Sequence, residues 1–342
     1  MNLFDLNKVA VAMMASGKGL LAADESTGTI KKRFDAIKVE STEDTRRDYR
    51  EMLFRSKDAM SKCISGVILY DETIWQKAKD GTPLVKLIEQ AGAIPGIKVD
   101  EGTQGLPACP GETITVGLDK LAGRLADYYK QGARFAKWRA VIDIGKDIPS
   151  MTAIHVNAHA LARYAALCQE AQIVPIVEPE VLMDGDHDID RCYDVTTRVL
   201  NKVFRELRVQ RVALEGMILK PNMAISGKKC AKQAPVEEVA EKTVRMLRHC
   251  VPAAVPGIAF LSGGQSDEEA TAHLDAMNRI GGLPWKLTFS YGRALQAAPQ
   301  KAWSGKAENV PAGQQAFSHR AKMNSLAALG QWKADLENKK AA

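Results

Sequence analysis

Charged residues close several apolar runs in this 342-residue chain. Lys137 and Arg139 stand near the end of run 135–141, and Lys220 ends run 213–220. Lys98 and Asp100 end 94–100, Asp24 ends 19–24, and Glu178 and Glu180 end 174–180. A neutral lysine amine attacks a carbonyl and forms an iminium, an electron sink for the neighbouring bonds. Free lysine has a pKa near 10.4, so only about one in 2,500 is neutral at pH 7. A second ammonium about 4 Å away, at an effective dielectric of about 20, opposes the charged form by roughly 4 kcal/mol. Burial acts in the same direction. Lys137 and Lys220 facing one cavity would supply both effects. Glu178 and Glu180, two apart on an extended chain, share a face about 6–7 Å apart and suit the attendant proton transfers. Pro221 follows Lys220, stops the ladder and fixes where the amine emerges.

Two sets of residues suit phosphate. Run 257–262 leads into Ser262-Gly263-Gly264-Gln265-Ser266, and run 285–291 leads into Gly292-Arg293. Glycines let backbone N–H groups approach an anion, and Arg293 adds a forked, charged donor. Arg33 and Lys98, with the Thr29 hydroxyl, form the second set. An enzyme for a monophosphorylated sugar shares the lysine chemistry but has no need of this second set. A basic protein that merely docks anionic partners has no need of the lysine–carboxylate set.

These residues need a scaffold that brings many strand ends to one rim. Eight short apolar runs cover 19–24, 63–70, 94–100, 135–141, 174–180, 213–220, 257–262 and 285–291. None alternates cleanly between polar and apolar, as expected for strands of a parallel sheet covered on both faces. Every gap is long enough for a crossover helix. Cys192, Val195, Val199, Leu200, Val203, Phe204 and Leu207 recur at the helical period, as do Val236, Val239, Ala240, Thr243, Leu247 and Cys250. Alternating strands and helices without a linker predict one (β/α)8 TIM barrel over about 17–295, with its active site at the C-terminal strand ends. Leu3, Leu6, Ala10 and Met13 predict an N-terminal helix. The Ala/Gln/Lys-rich remainder, about 296–342, reads as a helical extension of the same single domain.

Composition excludes other classes. Lys and Arg total 47 against 41 Asp and Glu, a net charge of 47 − 41 = +6 without any run of five basic residues. A scattered excess suits a small anionic substrate better than nucleic acid. No segment approaches the 18 or so apolar residues of a membrane span. The six cysteines include no C-x-x-C pair and read as free thiols in a reducing, cytoplasmic setting. Gly17-Lys18-Gly19-Leu20-Leu21-Ala22 fits G-x-G-x-x-A but enters an apolar run instead of leaving one for a helix, so it is no dinucleotide loop. His155 and His159 lack a Glu after the first His and read as a surface pair. The stretch 184–188 resembles a calcium loop, but Ile189 and Val195 stand where Gly and Glu are required; it reads as an acidic loop over the barrel mouth.

Several segments together resemble class I fructose-bisphosphate aldolase: Leu21-Ala22-Ala23-Asp24-Glu25-Ser26-Thr27-Gly28, Gly96-Ile97-Lys98-Val99-Asp100, Phe135-Ala136-Lys137-Trp138-Arg139, Val174-Pro175-Ile176-Val177-Glu178-Pro179-Glu180, Leu214-Glu215-Gly216-Met217-Ile218-Leu219-Lys220-Pro221-Asn222, Phe260-Leu261-Ser262-Gly263-Gly264-Gln265-Ser266 and Leu287-Thr288-Phe289-Ser290-Tyr291-Gly292-Arg293. The resemblance implies reversible cleavage of fructose 1,6-bisphosphate to dihydroxyacetone phosphate and glyceraldehyde 3-phosphate, with no metal or cofactor. It implies that Lys220 forms the Schiff base and Glu178 is the acid/base for carbinolamine formation and dehydration. Lys137 would stabilise charge, Glu180 would shape the Lys220 environment, and Asp24 would orient or deprotonate the C4 hydroxyl. Ser262, Gly263, Gly292 and Arg293 would hold the C1 phosphate; Thr29, Arg33 and Lys98 would lie near the C6 phosphate, with Arg139 also on the substrate. Thr29 stands where serine is expected. Members are usually homotetramers. Vertebrate-type members carry a tail tyrosine that exchanges the enamine C3 proton. The last tyrosine here is Tyr291, so that exchange is expected to fall to another group.

Overall fold

Eight parallel strands close into a barrel in the computed structural model, which describes residues 2–338. They are β1 (Gly19–Ala23), β2 (Ile64–Leu69), β3 (Ile94–Lys98), β6 (Phe135–Ile142), β7 (Val174–Val181), β8 (Ile218–Leu219), β9 (Gly257–Phe260) and β10 (Lys286–Tyr291). Each pairs with its neighbour in that order, and β10 returns to β1. Each of the eight expected runs overlaps one barrel strand, with β6 and β7 each reaching one residue further.

Two stretches differ from expectation. Run 213–220 is only in small part a strand: Leu214–Gly216 form a 3-10 turn and the ladder of β8 is two residues long. Pro221 cannot donate, so the ladder ends where Lys220 N–H reaches Val177 O at 2.8 Å. The gap after β3 holds an antiparallel hairpin, β4 (Thr103–Gly105) and β5 (Thr113–Thr115), which the apolar pattern does not announce because β4 is wholly exposed.

Strand parity sorts the side chains. Leu20, Ala22, Ile68, Phe135, Val174, Ile176, Ile218 and Ala259 fill the lower barrel interior. Counting on by twos leads to Asp24 after Ala22, to Lys137 and Arg139 after Phe135, to Glu178 and Glu180 after Ile176, and to Lys220 after Ile218. The same inner column therefore begins as core and ends as chemistry. Gly96 makes room for the Phe135 ring, which lies 2.2 Å from where a Cβ would stand.

Below that core, the helix Leu3–Met13 seals the barrel with Leu6, Ala10 and Met13. Leu3, expected on the same face, is 40% exposed at its edge. The crossover helices Ile189–Val209 and Val236–Cys250 bury the predicted faces, except that Val236 is only half-buried. After β10 the chain continues as helices Arg293–Trp303 and Val310–Ala328, which pack on each other beside the barrel where a helical extension over about 296–342 is expected; residues 339–342 of it lie outside the described residues.

Candidate active site

A cavity of about 1040 Å³ opens at the C-terminal ends of the strands, and every residue expected to do chemistry lines it. Register brings them together: Lys98 on β3 lies opposite Lys137 on β6, and Arg139 lies opposite Glu178 on β7. Lys137, Glu178, Glu180 and Lys220 are each at most 5% exposed, so their charges meet in a largely water-free space.

Glu178 bridges the two lysines, with Oε1 3.1 Å from Lys220 Nζ and Oε2 3.4 Å from Lys137 Nζ. Its Oε2 is buried and makes no hydrogen bond among the described residues, so it keeps acceptor capacity beside the Lys137 ammonium. Lys137 Nζ also lies 2.8 Å from Asp24 Oδ2 and 4.0 Å from Asp100 Oδ2. Burial alone would lower the Lys137 pKa, but the surrounding Asp24, Glu178 and Asp100 carboxylates outweigh it and hold the ammonium firmly protonated. Burial would raise Asp24; the Lys137 and Lys220 charges and the Lys137 hydrogen bond overcome it and bring its pKa down to about 2. Arg139 is bound through Nε to Glu180, and Lys98 lies 2.7 Å from Asp100 Oδ1. Four cations thus face four carboxylates. The expected bare repulsion between Lys137 and Lys220 is replaced by a compensated set in which each cation has its own acid.

The phosphate candidates also converge on the cavity. Gly264 adopts φ +80°, and a Cβ there would stand 2.1 Å from Met183 Cγ, so only glycine suits the turn. At neighbouring Gly263 a Cβ would stand 3.1 Å from Glu180 Oε1, placing the loop against the carboxylate row. Arg293 donates to the backbone oxygen of Gln265 and lies beside Ser262 O at 3.4 Å. Opposite, helix Thr27–Ala36 is capped by Ser26, whose Oγ accepts from Thr29 N–H. The positive end of this helix meets the cavity at Ser26 and Thr29, a favourable place for an anion. Arg33 is tied to Glu25, and its Nη2 would lie 3.8 Å from a Cβ on Gly292, beside the first phosphate set.

Three cavity residues, Ser290, Glu25 and Ser26, have no role in the sequence reading, and Asp100 figures there only as a strand-end charge. Ser290, inward by parity with Thr288, has a buried Oγ without a hydrogen-bond partner among the described residues. Asp100 receives backbone N–H groups from Gly102 and Arg139 besides its two lysines. Glu25 accepts from Arg33 and from Gln296, 271 positions away. Ser26 gave one local signal, a serine directly before a helical pattern.

The other motifs fall outside the site. His155 and His159 lie on the outer face, both near Glu206. The acidic loop does reach the mouth, where Asp184 lines the cavity and pairs with Lys228. All six cysteines are free. No helix among the described residues is long and apolar enough to cross a membrane.

The family model for fructose-bisphosphate aldolase class-I matches residues 5–342. The chain belongs to the class I fructose-bisphosphate aldolase family. It is 59% identical over 334 residues to the "Probable fructose-bisphosphate aldolase class 1" of Xanthomonas campestris pv. campestris, covering 97% of this chain and 100% of that one. It is 54% identical over 328 residues to "Fructose-bisphosphate aldolase B" of Gallus gallus, covering 96% and 90%. The solved fructose-bisphosphate aldolase of Plasmodium falciparum, in complex with TRAP and a small-molecule inhibitor, superposes with a TM-score of 0.95 at 49% identity, covering 97% and 96%. This aldolase is a lyase that reversibly cleaves fructose 1,6-bisphosphate to dihydroxyacetone phosphate and glyceraldehyde 3-phosphate through a lysine Schiff base.

Proposed function

We propose that Lys220 is the Schiff-base lysine and that Glu178 moves protons between it and the substrate. The observation that carries this reading is the Glu178 carboxylate held between Lys220 and Lys137. Lys220 gives one proton to Glu178 and attacks the C2 carbonyl of the open-chain sugar, and the carbonyl oxygen takes the second proton that the nitrogen sheds as the carbinolamine forms. Glu178 supplies the proton with which that oxygen leaves as water, giving the iminium. Glu178, ionised again by that step, takes the proton of the C4 hydroxyl as the C3–C4 bond breaks, the aldehyde departs and the electron pair enters the iminium as an enamine. Asp24, strongly acidic beside Lys137, is ionised and orients that hydroxyl. Lys137, protonated, stabilises oxyanions in the steps at C2. Glu180 holds Arg139 at the substrate's edge.

In this reading Ser262, Gly263, Gly292 and Arg293 take the C1 phosphate. Thr29 and Lys98, with the capped end of helix Thr27–Ala36, take the C6 phosphate. Arg33 stands between the two sets. A cytosolic homotetramer is proposed on family grounds, supported by relatives such as "Fructose-bisphosphate aldolase 6, cytosolic" of Arabidopsis thaliana.

Borohydride reduction in the presence of dihydroxyacetone phosphate tests the assignment. One adduct on the Lys220 peptide is expected by mass spectrometry, and Lys220→Met should lose both cleavage and trapping with the fold intact. An adduct on another lysine in Lys220→Met would overturn it.

A further inference from the structure

The stretch after helix Val310–Ala328 returns to the barrel and is fastened there. Trp332 donates its backbone N–H to Asp275 Oδ1 at 2.7 Å and its indole N–H to Glu337 Oε1 at 2.9 Å. Glu337 Oε2 accepts from Arg320 Nη1 at 2.5 Å, and His319 Nε2 lies 3.3 Å away. The Arg320 and Glu337 side chains are only 6% and 7% exposed, so the pair is shielded from water.

Arg320 has a second arm. Its Nη2 donates to Asp267 O at 3.1 Å and to Thr271 Oγ1 at 2.7 Å. Both acceptors belong to the first turns of helix Asp267–Ile280, which begins directly after the 262–266 loop. Asp267 Oδ1 lies 3.8 Å from Arg293 Nη1, and Arg293 in turn bonds the loop at Gln265 O. Contacts thus run from Glu337 through Arg320 and Asp267 to Arg293. A guanidinium is a rigid planar fork, so an acid fixing one arm also aims the other. Without that acid, Arg320 would be a buried, unpaired cation, free to turn toward water and release the helix start.

We infer that Glu337 is a positioning residue for phosphate binding: through Arg320 it holds Asp267, and with it Arg293 and the 262–266 loop, ready to receive the substrate phosphate. This rests on the reading that Ser262, Gly263, Gly292 and Arg293 take the C1 phosphate. The C-terminal segment then acts from behind the loop, as a buttress, without touching the substrate.

The test compares dihydroxyacetone phosphate with dihydroxyacetone, the same ketone lacking the phosphate, in borohydride trapping over a range of ketone concentrations. Glu337→Gln keeps the size and an oxygen for Trp332 but removes the charge. It should raise the half-saturating concentration of dihydroxyacetone phosphate about tenfold, through loss of one charge-assisted positioning bond. Trapping of dihydroxyacetone and kcat at saturating fructose 1,6-bisphosphate should stay near the wild-type values. Arg320→Lys, which keeps a cation opposite Glu337 but loses the second arm, should give the same selective defect and covers the case in which Glu337→Gln fails to fold. Arg293→Ala serves as reference. If Arg293→Ala is selective for the phosphorylated ketone while neither of the other variants is, the positioning role of Glu337 is overturned and the phosphate assignment stands. If Arg293→Ala weakens both ketones equally, the phosphate assignment fails and the inference fails with it.

Discussion

Replacing His273 with asparagine should flatten the acid side of the stability curve. His273 lies on helix Asp267–Ile280, 6% exposed, with Nδ1 2.7 Å from Gln265 Oε1. Burial lowers its pKa from 6.5 to about 4, against the pull of Glu269 and Glu237. Between those two values the unfolded chain carries a proton that the folded chain rejects. Unfolding then takes up a proton, so stability falls as the pH falls through that window. The whole displacement corresponds to about 3 kcal/mol, and some 2 kcal/mol of it, roughly, is lost between pH 7 and pH 5. Asparagine keeps a hydrogen-bonding group opposite Gln265 but cannot titrate. Urea unfolding of both proteins at pH 7 and pH 5 isolates the effect, because the other titrating groups are common to both. The wild type should lose about 2 kcal/mol more than His273→Asn over that interval. Equal losses would refute the reasoning and show that the folded protein accommodates the imidazolium.

Lys137→Met should slow Schiff-base formation on the order of 10²–10⁴-fold, the usual range for a positioned proton-transfer or charge-stabilising group. It should also shift single-turnover trapping to higher pH, since Asp24, Glu178 and Asp100 would then be left with a single buried ammonium less; an unchanged pH profile would exclude Lys137 from this charge balance. Activity should survive EDTA, because the iminium itself accepts the electron pair; loss on chelation, restored by zinc, would reject a purely lysine-based mechanism. Arg33→Ala should lower kcat/KM more for fructose 1,6-bisphosphate than for fructose 1-phosphate. Equal losses would move Arg33 to the C1 set, beside Gly292.

Much of the site could be read before the fold because strand parity carries both. Lys137, Glu178 and Lys220 continue the same inward columns as Phe135, Ile176 and Ile218, so recognising the strands already aims the charges. Run 213–220 misled in detail, since apolar content alone does not distinguish strand from 3-10 turn when Gly216 interrupts it. The hairpin of β4 and β5 is not legible because β4 is wholly exposed and β5 buries only Thr115, too little for a periodic face. Pairing was the least legible property. Nothing near Glu25 in sequence points to Gln296, and nothing near Lys137 points to Asp24, over a hundred positions earlier. Such partners are chosen by barrel closure, not by local propensity.

The helix Leu3–Met13 and the packed lower interior give the barrel a floor. Among the described residues the cavity is closed from below and opens at the strand ends. Substrate enters and both products leave through the same mouth, past the loops that hold the phosphates. After cleavage the aldehyde is held by no covalent bond, whereas the three-carbon ketone is still joined to lysine. The aldehyde must go first, and the ketone must wait until its iminium is hydrolysed. Run in reverse, the same bond imposes the opposite queue: the ketone phosphate has to be seated and bonded before an aldehyde can profitably follow it in. An aldehyde that arrives early finds no enamine to attack, so the order of the reverse reaction follows from which partner is covalently held.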